Sequence, residues 1–260
     1  MERRTLLLGG VLGFSGLGAA SLLGGGTVPV AAARTFDWKG TDFLSGGTAR
    51  IPPSLPEPLF RSAPNCTVSC AQTLGPCFAK APVRTDISEG RPGLPTRVSL
   101  RLVDAETCNP VEGAVIDIWH CSAEGVYSGE AASMCNAGDE EARATLFCRG
   151  AQLTDANGRA DFITVYPGWY PGRTVHIHLR VLVGDREALV SQLIFDDALS
   201  DLVFAGHPDY PREGRRRVRN TQDGIARSQD LEALTFDVEK LEGGVLQASF
   251  TLGISRQQSC

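Results

Sequence analysis

Two of the four histidines in the chain, His176 and His178, stand two positions apart. Side chains two residues apart in a β-strand point to the same face, so both imidazoles would face one point, as metal ligands do. Tyr127 follows a predicted strand, and Tyr166 and Tyr170 flank a Pro-Gly-Trp turn just before the histidine strand. Phenolate is a hard, anionic oxygen donor, so a site of phenolates and imidazoles favours a trivalent cation such as Fe(III).

Short β-type runs separated by turns must position these side chains. Several runs alternate polar and apolar residues, and the Asn-Gly dipeptide at 157–158 is typical of a β-hairpin. No long helical period competes with them, and the 29 glycines and 15 prolines fit many short strands. We therefore predict an all-β fold, a β-sandwich core with irregular insertions at 121–150 and 200–230. The predicted strands cover residues 97–103, 114–119, 152–154, 161–165, 174–181, 188–195 and 244–252.

Separated motifs, in a fixed order, resemble those of the intradiol ring-cleavage dioxygenases. The segment IDIWHCSAEGVYSG at 116–129 is followed by TDANG at 154–158 and by YPGWYPGRTVHIH at 166–178. Two upstream segments, 84–93 and 104–110, resemble the secreted bacterial branch of that family. The resemblance extends over about residues 70–225 and implies a catalytic β-sandwich.

The resemblance implies a non-haem Fe(III) held by four side chains, with a water or hydroxide in a further position. The implied ligands are Tyr127, Tyr170, His176 and His178. Tyr170 is expected rather than Tyr166 because the family tyrosine follows a Pro-Gly-x turn. Tyr166 is then expected to be an aromatic residue of the core at a strand end.

The implied reaction is cleavage of a catechol-type diol by O2 between its two hydroxylated carbons, giving a muconate-type diacid. Tyr170 would act as a base for one diol proton. Arg173 matches a family arginine that stabilises negative charge developing on the substrate ring, and a guanidinium stays charged at any working pH. Gln192 matches a glutamine that contacts the substrate, although an outward-facing strand residue is an alternative for this position.

Three positions depart from the family pattern near the implied pocket. Cys77 stands where an aromatic residue is common, Ser122 replaces a frequent aspartate, and Gly172 replaces an aromatic residue that packs on the substrate ring in some relatives. These changes predict a more open pocket and leave catechol, protocatechuate and larger aryl diols as candidate substrates. His120 is expected to be a structural, hydrogen-bonded histidine.

The N-terminal third of the chain divides into two segments. Arg3 and Arg4 are followed by Thr5 and then by 28 more uncharged residues, 6–33, which end in three alanines at 31–33. Residues 1–33 therefore resemble a twin-arginine-type signal peptide, which predicts export to the periplasm or outside and no stable membrane insertion after cleavage. An uncleaved membrane anchor is the alternative. Residues 34–95 are rich in proline and predict an extended N-terminal arm, with the catalytic domain at 96–260.

All eight cysteines follow the signal segment, which favours disulfides in an oxidising compartment. With eight cysteines, 105 full pairings exist and the sequence does not choose among them. The C-x3-C spacing of Cys66 and Cys70 leaves a zinc site as an alternative. The cysteines are Cys66, Cys70, Cys77, Cys108, Cys121, Cys135, Cys148 and Cys260.

The net charge of −5 argues against nucleic acid as the main partner. Five arginines between 212 and 219 lie among acidic residues, so we expect a solvated loop or a subunit contact of a homo-oligomer there. Two other functions remain open: a cupin-like metalloenzyme that uses His176, His178 and His207, and a non-catalytic, exported, transthyretin-like binding sandwich.

Overall fold

The computed structural model describes residues 35–60, 66–130, 133–211 and 213–255. Within these residues, eight strands form two four-stranded sheets, with strand orders β4-β1-β8-β7 and β3-β2-β5-β6. Neighbouring strands are antiparallel, except for the parallel pair of β1 and β8. The predicted all-β sandwich is therefore confirmed. The strands are β1 (Pro95–Asp104), β2 (Val115–Trp119), β3 (Arg149–Leu153), β4 (Arg159–Val165), β5 (His176–Val183), β6 (Arg186–Ile194), β7 (Asp237–Lys240) and β8 (Leu246–Ile254).

The hydrophobic core lies between the two sheets and is built from alternate residues of each strand. Strand β5 contributes Ile177, Leu179 and Val181, all buried in the main apolar cluster. Burying one such side chain contributes about 1.5–3 kcal/mol to folding. Because successive side chains of a strand point to opposite faces, His176 and His178 point to the outer face of the β3-β2-β5-β6 sheet.

Segment 66–93 packs on the sandwich as an extended chain. It adds backbone hydrogen bonds to β3, where the amide of Ala151 donates to Pro82 O over 2.9 Å, and to β4, where the amide of Ile163 donates to Thr85 O over 2.8 Å. At β6, the amide of Gln72 donates to Val190 O over 2.7 Å. The arm at 34–95 and its boundary at residue 95 stay predictions.

The insertions contain more helix than the sequence predicted. An Asp196 N-cap accepts a hydrogen bond from Ala198 at the start of a ten-residue helix whose buried side includes Leu199 and Val203. The short strand β7 was also missed, because it is charged and half exposed. The helices are α1 (Ser133–Asn136), α2 (Glu140–Ala144) and α3 (Asp197–Gly206), and the 3₁₀ turns are Gly40–Asp42, Thr48–Arg50, Asn220–Gln222, Ala226–Ser228 and Glu232–Leu234.

The arginine-rich segment packs partly on α3. Arg216 is buried and forms ion pairs with Asp197 and Asp201, and Arg219 also pairs with Asp201. The expectation of a solvated loop is therefore wrong for Arg216, whose charge is neutralised within the chain. Arg212 lies outside the described residues, and oligomeric state stays a prediction.

Two disulfides join Cys66 to Cys108 and Cys77 to Cys135, and Cys70 is also disulfide-bonded. The zinc alternative for Cys66 and Cys70 is therefore wrong, because neither sulfur is a thiolate. Cys121 and Cys148 are buried thiols.

The predicted signal peptide at 1–33 lies outside the described residues, and within those residues no helix is long and apolar enough to cross a bilayer.

Candidate metal centre

Strand register aligns four polar or aromatic side chains across the outer face of the β3-β2-β5-β6 sheet. Arg149 of β3 pairs with Trp119 of β2, Trp119 pairs with His178 of β5, and His178 pairs with Gln192 of β6. His176 lies two positions before His178 on the same face. Side chains from 121–130, from 133–148 and from the 66–93 segment pack against this row, among them Cys77, Cys121, Tyr127 and Cys135.

Four atoms with lone pairs converge on one point above this row. Tyr127 Oη lies 3.3 Å from His176 Nε2 and 3.4 Å from Tyr170 Oη. His176 Nε2 also lies 3.1 Å from Tyr170 Oη and 3.1 Å from His178 Nε2. Ligands bound at about 2.0–2.2 Å to a common ion stand about 3 Å apart, so this spacing suits one cation. The structure thus brings together the four side chains that the sequence predicted as ligands.

Hydrogen bonding and stacking orient the two imidazoles. Nδ1 of His176 donates to Thr174 O over 2.7 Å, which leaves the lone pair of Nε2 facing the two phenols. The ring of His178 stacks on Trp119, with centroids 5.0 Å apart and planes within 10°. Burial lowers the pKa of His176 to about 3, and it lowers the pKa of His178 well below its usual value. Both rings are therefore neutral at ordinary pH and able to bind a cation.

The two phenols differ in exposure. Tyr127 is buried, whereas Tyr170 is partly exposed. Burial raises the pKa of Tyr170 to about 12 and that of Tyr127 well above its usual value. Both phenols are therefore protonated unless a strongly positive ion stabilises the phenolate form. Among the described residues, this cluster included, no group of three or more His, Cys, Asp or Glu side chains has metal-site geometry, since the cluster combines two histidines with two tyrosines.

Arg173 and Gln192 lie at the edge of this cluster. Nη2 of Arg173 donates to Gln192 Oε1 over 2.6 Å, and its Nη1 lies 3.4 Å from His176 Nε2. Nε2 of Gln192 donates to Thr73 O over 3.1 Å. Gln192 lies on the outer face of its sheet but is buried under other residues, so it is not a solvent-exposed strand residue. Arg173 and Gln192, predicted to be catalytic together with Tyr170, thus lie beside the converging donors.

Sequence reasoning missed Asp223, which holds Arg173 in place. Its Oδ2 accepts hydrogen bonds from Arg173 Nε and from the amide of Thr174, both at 2.8 Å. Burial alone would raise the pKa of Asp223, but the bonds from Arg173 and from backbone amides, including that of Ala226, lower it to about 2. The carboxylate lies 50 residues from its partner, in a segment predicted to be irregular, so no spacing pattern pointed to it.

Asp223→Asn is expected to remove part of the acid sensitivity of the fold. The folded pKa of about 2 lies below the ordinary 3.8, so the stabilisation is complete above pH 3.8 and disappears as pH falls toward 2. This shift corresponds to about 2 kcal/mol. Urea titrations between about pH 5 and pH 2 should therefore show the stability gap between wild type and variant narrowing by about that amount.

Asp185→Asn is the matched control, because Asp185 lies exposed in the turn between β5 and β6. That variant also removes an aspartate but leaves the ion pair between Arg173 and Asp223 in place. A stability gap for Asp223→Asn that does not narrow as the pH falls would contradict the ion pair with Arg173.

A close backbone approach at Gly168 fixes the turn that carries Tyr170. The amide of Gly168 donates to Ser122 O over 3.0 Å. A Cβ at this position would lie 2.2 Å from Ala123 O and 2.6 Å from Ser122 O, with no flexible side chain to move away. Only glycine therefore lets this turn lie against residues 122–123, just before Tyr127.

Gly168→Ala is expected to destabilise the protein by about 3 kcal/mol, because the turn must move away from backbone oxygens. The free energy of unfolding from a denaturant titration measures the effect. Gly224→Ala is the control, since a Cβ at Gly224 meets no atom within 4 Å. Equal stabilities of the two variants would contradict the close approach.

Three other predicted residues lie in structural positions. Tyr166 is buried, and its hydroxyl lies 2.7 Å from Ser200 Oγ. His120 is buried between Cys121 O and Thr164 Oγ1, both at 2.8 Å, as expected for a structural histidine. His207 donates from Nε2 to Leu44 O and accepts at Nδ1 from the amide of Asp209. Both nitrogens of His207 are used away from His176 and His178, so the cupin-like three-histidine site is wrong.

The chain is similar in sequence to known dioxygenases. A family model described as dioxygenase matches residues 73–238, well over half of the chain. The protocatechuate 3,4-dioxygenase beta chain of Burkholderia cepacia is 29% identical over 178 residues, which is 62% of this chain and 73% of that protein.

Solved structures extend the likeness to the fold. An intradiol ring-cleavage dioxygenase from Tetranychus urticae is 31% identical with a TM-score of 0.66, over 75% of this chain and 98% of that one. The dioxygenase domain of a carbohydrate-binding fusion protein from Streptomyces sp. SirexAA-E is 27% identical with a TM-score of 0.53, over 73% of this chain and 99% of that one. These relatives are enzymes, which argues against the non-catalytic binding sandwich. The chain belongs to the intradiol ring-cleavage dioxygenase family and is an enzyme of that class.

Proposed function

We propose that this enzyme binds Fe(III) and uses O2 to cleave a catechol-type diol between its hydroxylated carbons, releasing a muconate-type diacid. The observation that carries the proposal is the convergence of two phenol oxygens and two imidazole nitrogens: His176 Nε2 lies 3.1–3.3 Å from each of the other three atoms, and the two phenol oxygens lie 3.4 Å apart. The proposed ligands are Tyr127, Tyr170, His176 and His178. The name of the Burkholderia cepacia relative supports a catechol-type substrate.

The donor set fits a ferric ion. Two phenolates and two neutral imidazoles offer hard anionic oxygen together with nitrogen, which stabilises a trivalent ion over a divalent one. Both phenols have raised pKa values from burial, so a strongly positive ion is needed to ionise them. When bound, Fe(III) would draw electron density from the diol so that a ring carbon becomes reactive toward O2.

The two tyrosines are suited to different roles. Tyr127 is enclosed by Trp119, Cys77 and Cys135, and its amide donates to Cys135 O over 2.9 Å, which makes it a fixed ligand. Tyr170 is partly exposed and follows the turn at Gly168. We infer that the Tyr170 oxygen accepts a proton from the incoming diol and that its side chain moves aside.

Arg173 and Gln192 are proposed to act on the substrate. The Nη1 atom of Arg173 is directed at the cluster, while Asp223 and Gln192 hold the other two nitrogens of its guanidinium. A fixed cation at this position stabilises negative charge on the substrate ring without any movement during the reaction. Gln192 would orient both Arg173 and the diol.

Oxygen uptake by the Fe(III)-loaded enzyme tests the proposal. A panel of catechol, protocatechuate and larger aryl diols should contain at least one substrate that consumes one O2 per diol. Mass spectrometry should find both atoms of ¹⁸O2 in a ring-opened diacid. No uptake with any diol, or a product opened beside the hydroxylated carbons, would contradict intradiol cleavage.

We also propose that the enzyme acts outside the cytoplasm, with residues 1–33 as a twin-arginine-type signal, 34–95 as an arm and 96–260 as the catalytic domain. The disulfides Cys66–Cys108 and Cys77–Cys135 support an oxidising location. N-terminal sequencing of exported protein tests this: a mature chain that begins near residue 34 is expected, and retention of residues 1–33 would contradict it.

A further inference from the structure

Arg149 is a fully buried arginine beside Tyr127 that has no carboxylate partner. Its guanidinium carbon lies 6.0 Å from the centroid of the Tyr127 ring. Nε donates to Ser128 O and Ser128 Oγ over 3.0 Å, and Nη2 donates to Cys77 O over 2.7 Å. Its Nη1 has no hydrogen-bond partner. Among the described residues, every acceptor of Arg149 is a neutral oxygen.

Two partly buried arginines of this region pair with carboxylates. Arg180, on the same sheet face, donates to Asp117 over 3.0 Å, and Arg173 donates to Asp223 over 2.8 Å. Burying a guanidinium without an anion costs several kcal/mol, so natural folds seldom keep one. An anion that forms only in the metal-loaded protein would explain why this position has an arginine.

We propose that Arg149 is a positioning residue whose positive charge is matched by the phenolate of Tyr127 in the iron-loaded enzyme. The inference rests on the proposed function, which makes Tyr127 an anionic ligand. A cation near the ring stabilises phenolate over phenol. Arg149 therefore places a positive charge beside the ring of Tyr127, the enclosed ligand of the proposed site.

The hydrogen bonds of Arg149 fix its guanidinium relative to Tyr127. Ser128, which accepts from it, is the residue directly after Tyr127, and Cys77 is linked by a disulfide to Cys135, whose carbonyl accepts from the Tyr127 amide. The guanidinium is thus bonded to both segments that hold this tyrosine. This arrangement keeps the charge at a constant distance from the phenolate.

Two variants separate charge from hydrogen bonding. Arg149→Lys keeps a positive charge with fewer donors, whereas Arg149→Gln keeps an amide donor without the charge. The readout is the visible tyrosinate-to-Fe(III) charge-transfer band of the loaded full-length protein. Removing a nearby cation raises the energy of the phenolate electrons, so the band of Arg149→Gln should move to longer wavelength. Arg149→Lys should keep the wild-type position, as should the control Arg219→Gln, since Arg219 pairs with Asp201 beside α3.

Competition with a chelator gives a second readout. The Fe(III) affinity of Arg149→Gln should be at least about 10-fold lower than that of wild type, which is the usual effect of mutating a residue that supports a metal ligand. A purely structural role predicts less folded protein with an unshifted band. The proposal is overturned if both Arg149 variants share the wild-type band, or if only the Lys variant shifts.

A further variant covers the case in which neither Arg149 variant folds. Ser128→Asp places a carboxylate beside the guanidinium and cancels its charge, so it should also move the band to longer wavelength. An unmoved band in that protein overturns the proposal. A colourless wild-type protein after Fe(III) loading would instead overturn the proposed function, which keeps the two failures distinct.

Discussion

Replacing His178 with alanine is expected to cost the enzyme its iron and its activity together. His178 lies at the centre of the aligned row, stacked on Trp119 and 3.1 Å from His176 Nε2. Alanine removes one of the four converging donors, and no carboxylate or cysteine cluster among the described residues offers a replacement site. Mutating a residue that hydrogen-bonds to a metal ligand typically lowers metal affinity or activity by about 10–100-fold. Loss of a direct ligand should therefore lower iron affinity by more than about 100-fold.

Metal analysis after Fe(III) loading and gel filtration, together with oxygen uptake, measures both effects. His207→Ala is the matched control, because His207 bonds to Leu44 O and lies outside the cluster. It should keep one iron per chain and most of its activity. If His207→Ala lost iron while His178→Ala retained it, the Tyr-His site would be wrong and a different histidine set would hold the metal.

Arg173→Gln is expected to leave iron bound but to slow turnover by about 100- to 1000-fold, the effect of removing one charge-stabilising donor from an active site. The guanidinium is held by Asp223 and Gln192, so it meets the substrate with its position already fixed. Glutamine can still donate a hydrogen bond but has no positive charge. The loss should therefore appear mainly in kcat, while iron content stays at one per chain.

Steady-state kinetics with the best diol from the substrate panel tests this. Arg219→Gln is the control, because Arg219 is partly exposed and pairs with Asp201 beside α3. Its kcat should match that of wild type. An Arg173→Gln enzyme that turns over at the wild-type rate would show that Arg173 does not stabilise the reacting substrate.

Local periodicity was enough to predict the part of the site that lies within single strands. The alternation of β5 places His176 and His178 on one face and Ile177 in the core, and the structure has this arrangement. The family resemblance indicated Tyr170 rather than Tyr166 as a ligand, and the structure places Tyr166 beside Ser200 in the core. The alternation within β5 could be predicted because it depends on residues close together in the chain.

Features that depend on distant contacts could not be predicted. Asp223 reaches Arg173 across 50 residues, and Arg149 reaches Cys77 across 72. The register between β3, β2 and β5 brings Arg149 level with His178, and that pairing joins strands far apart in the sequence. Gln192 was indicated by the family resemblance alone. Helix α3 could have been predicted from its Asp196 N-cap and the spacing of Leu199 and Val203.

The visible absorption spectrum of the Fe(III)-loaded protein, before and after anaerobic addition of catechol, tests the account most directly. Phenolate ligation of Fe(III) by Tyr127 and Tyr170 predicts a strongly coloured protein with one iron per chain. Direct binding of the diol to that iron predicts a shift of the band to longer wavelength. A protein that binds iron without colour, or stays colourless throughout, would contradict a tyrosinate–Fe(III) centre.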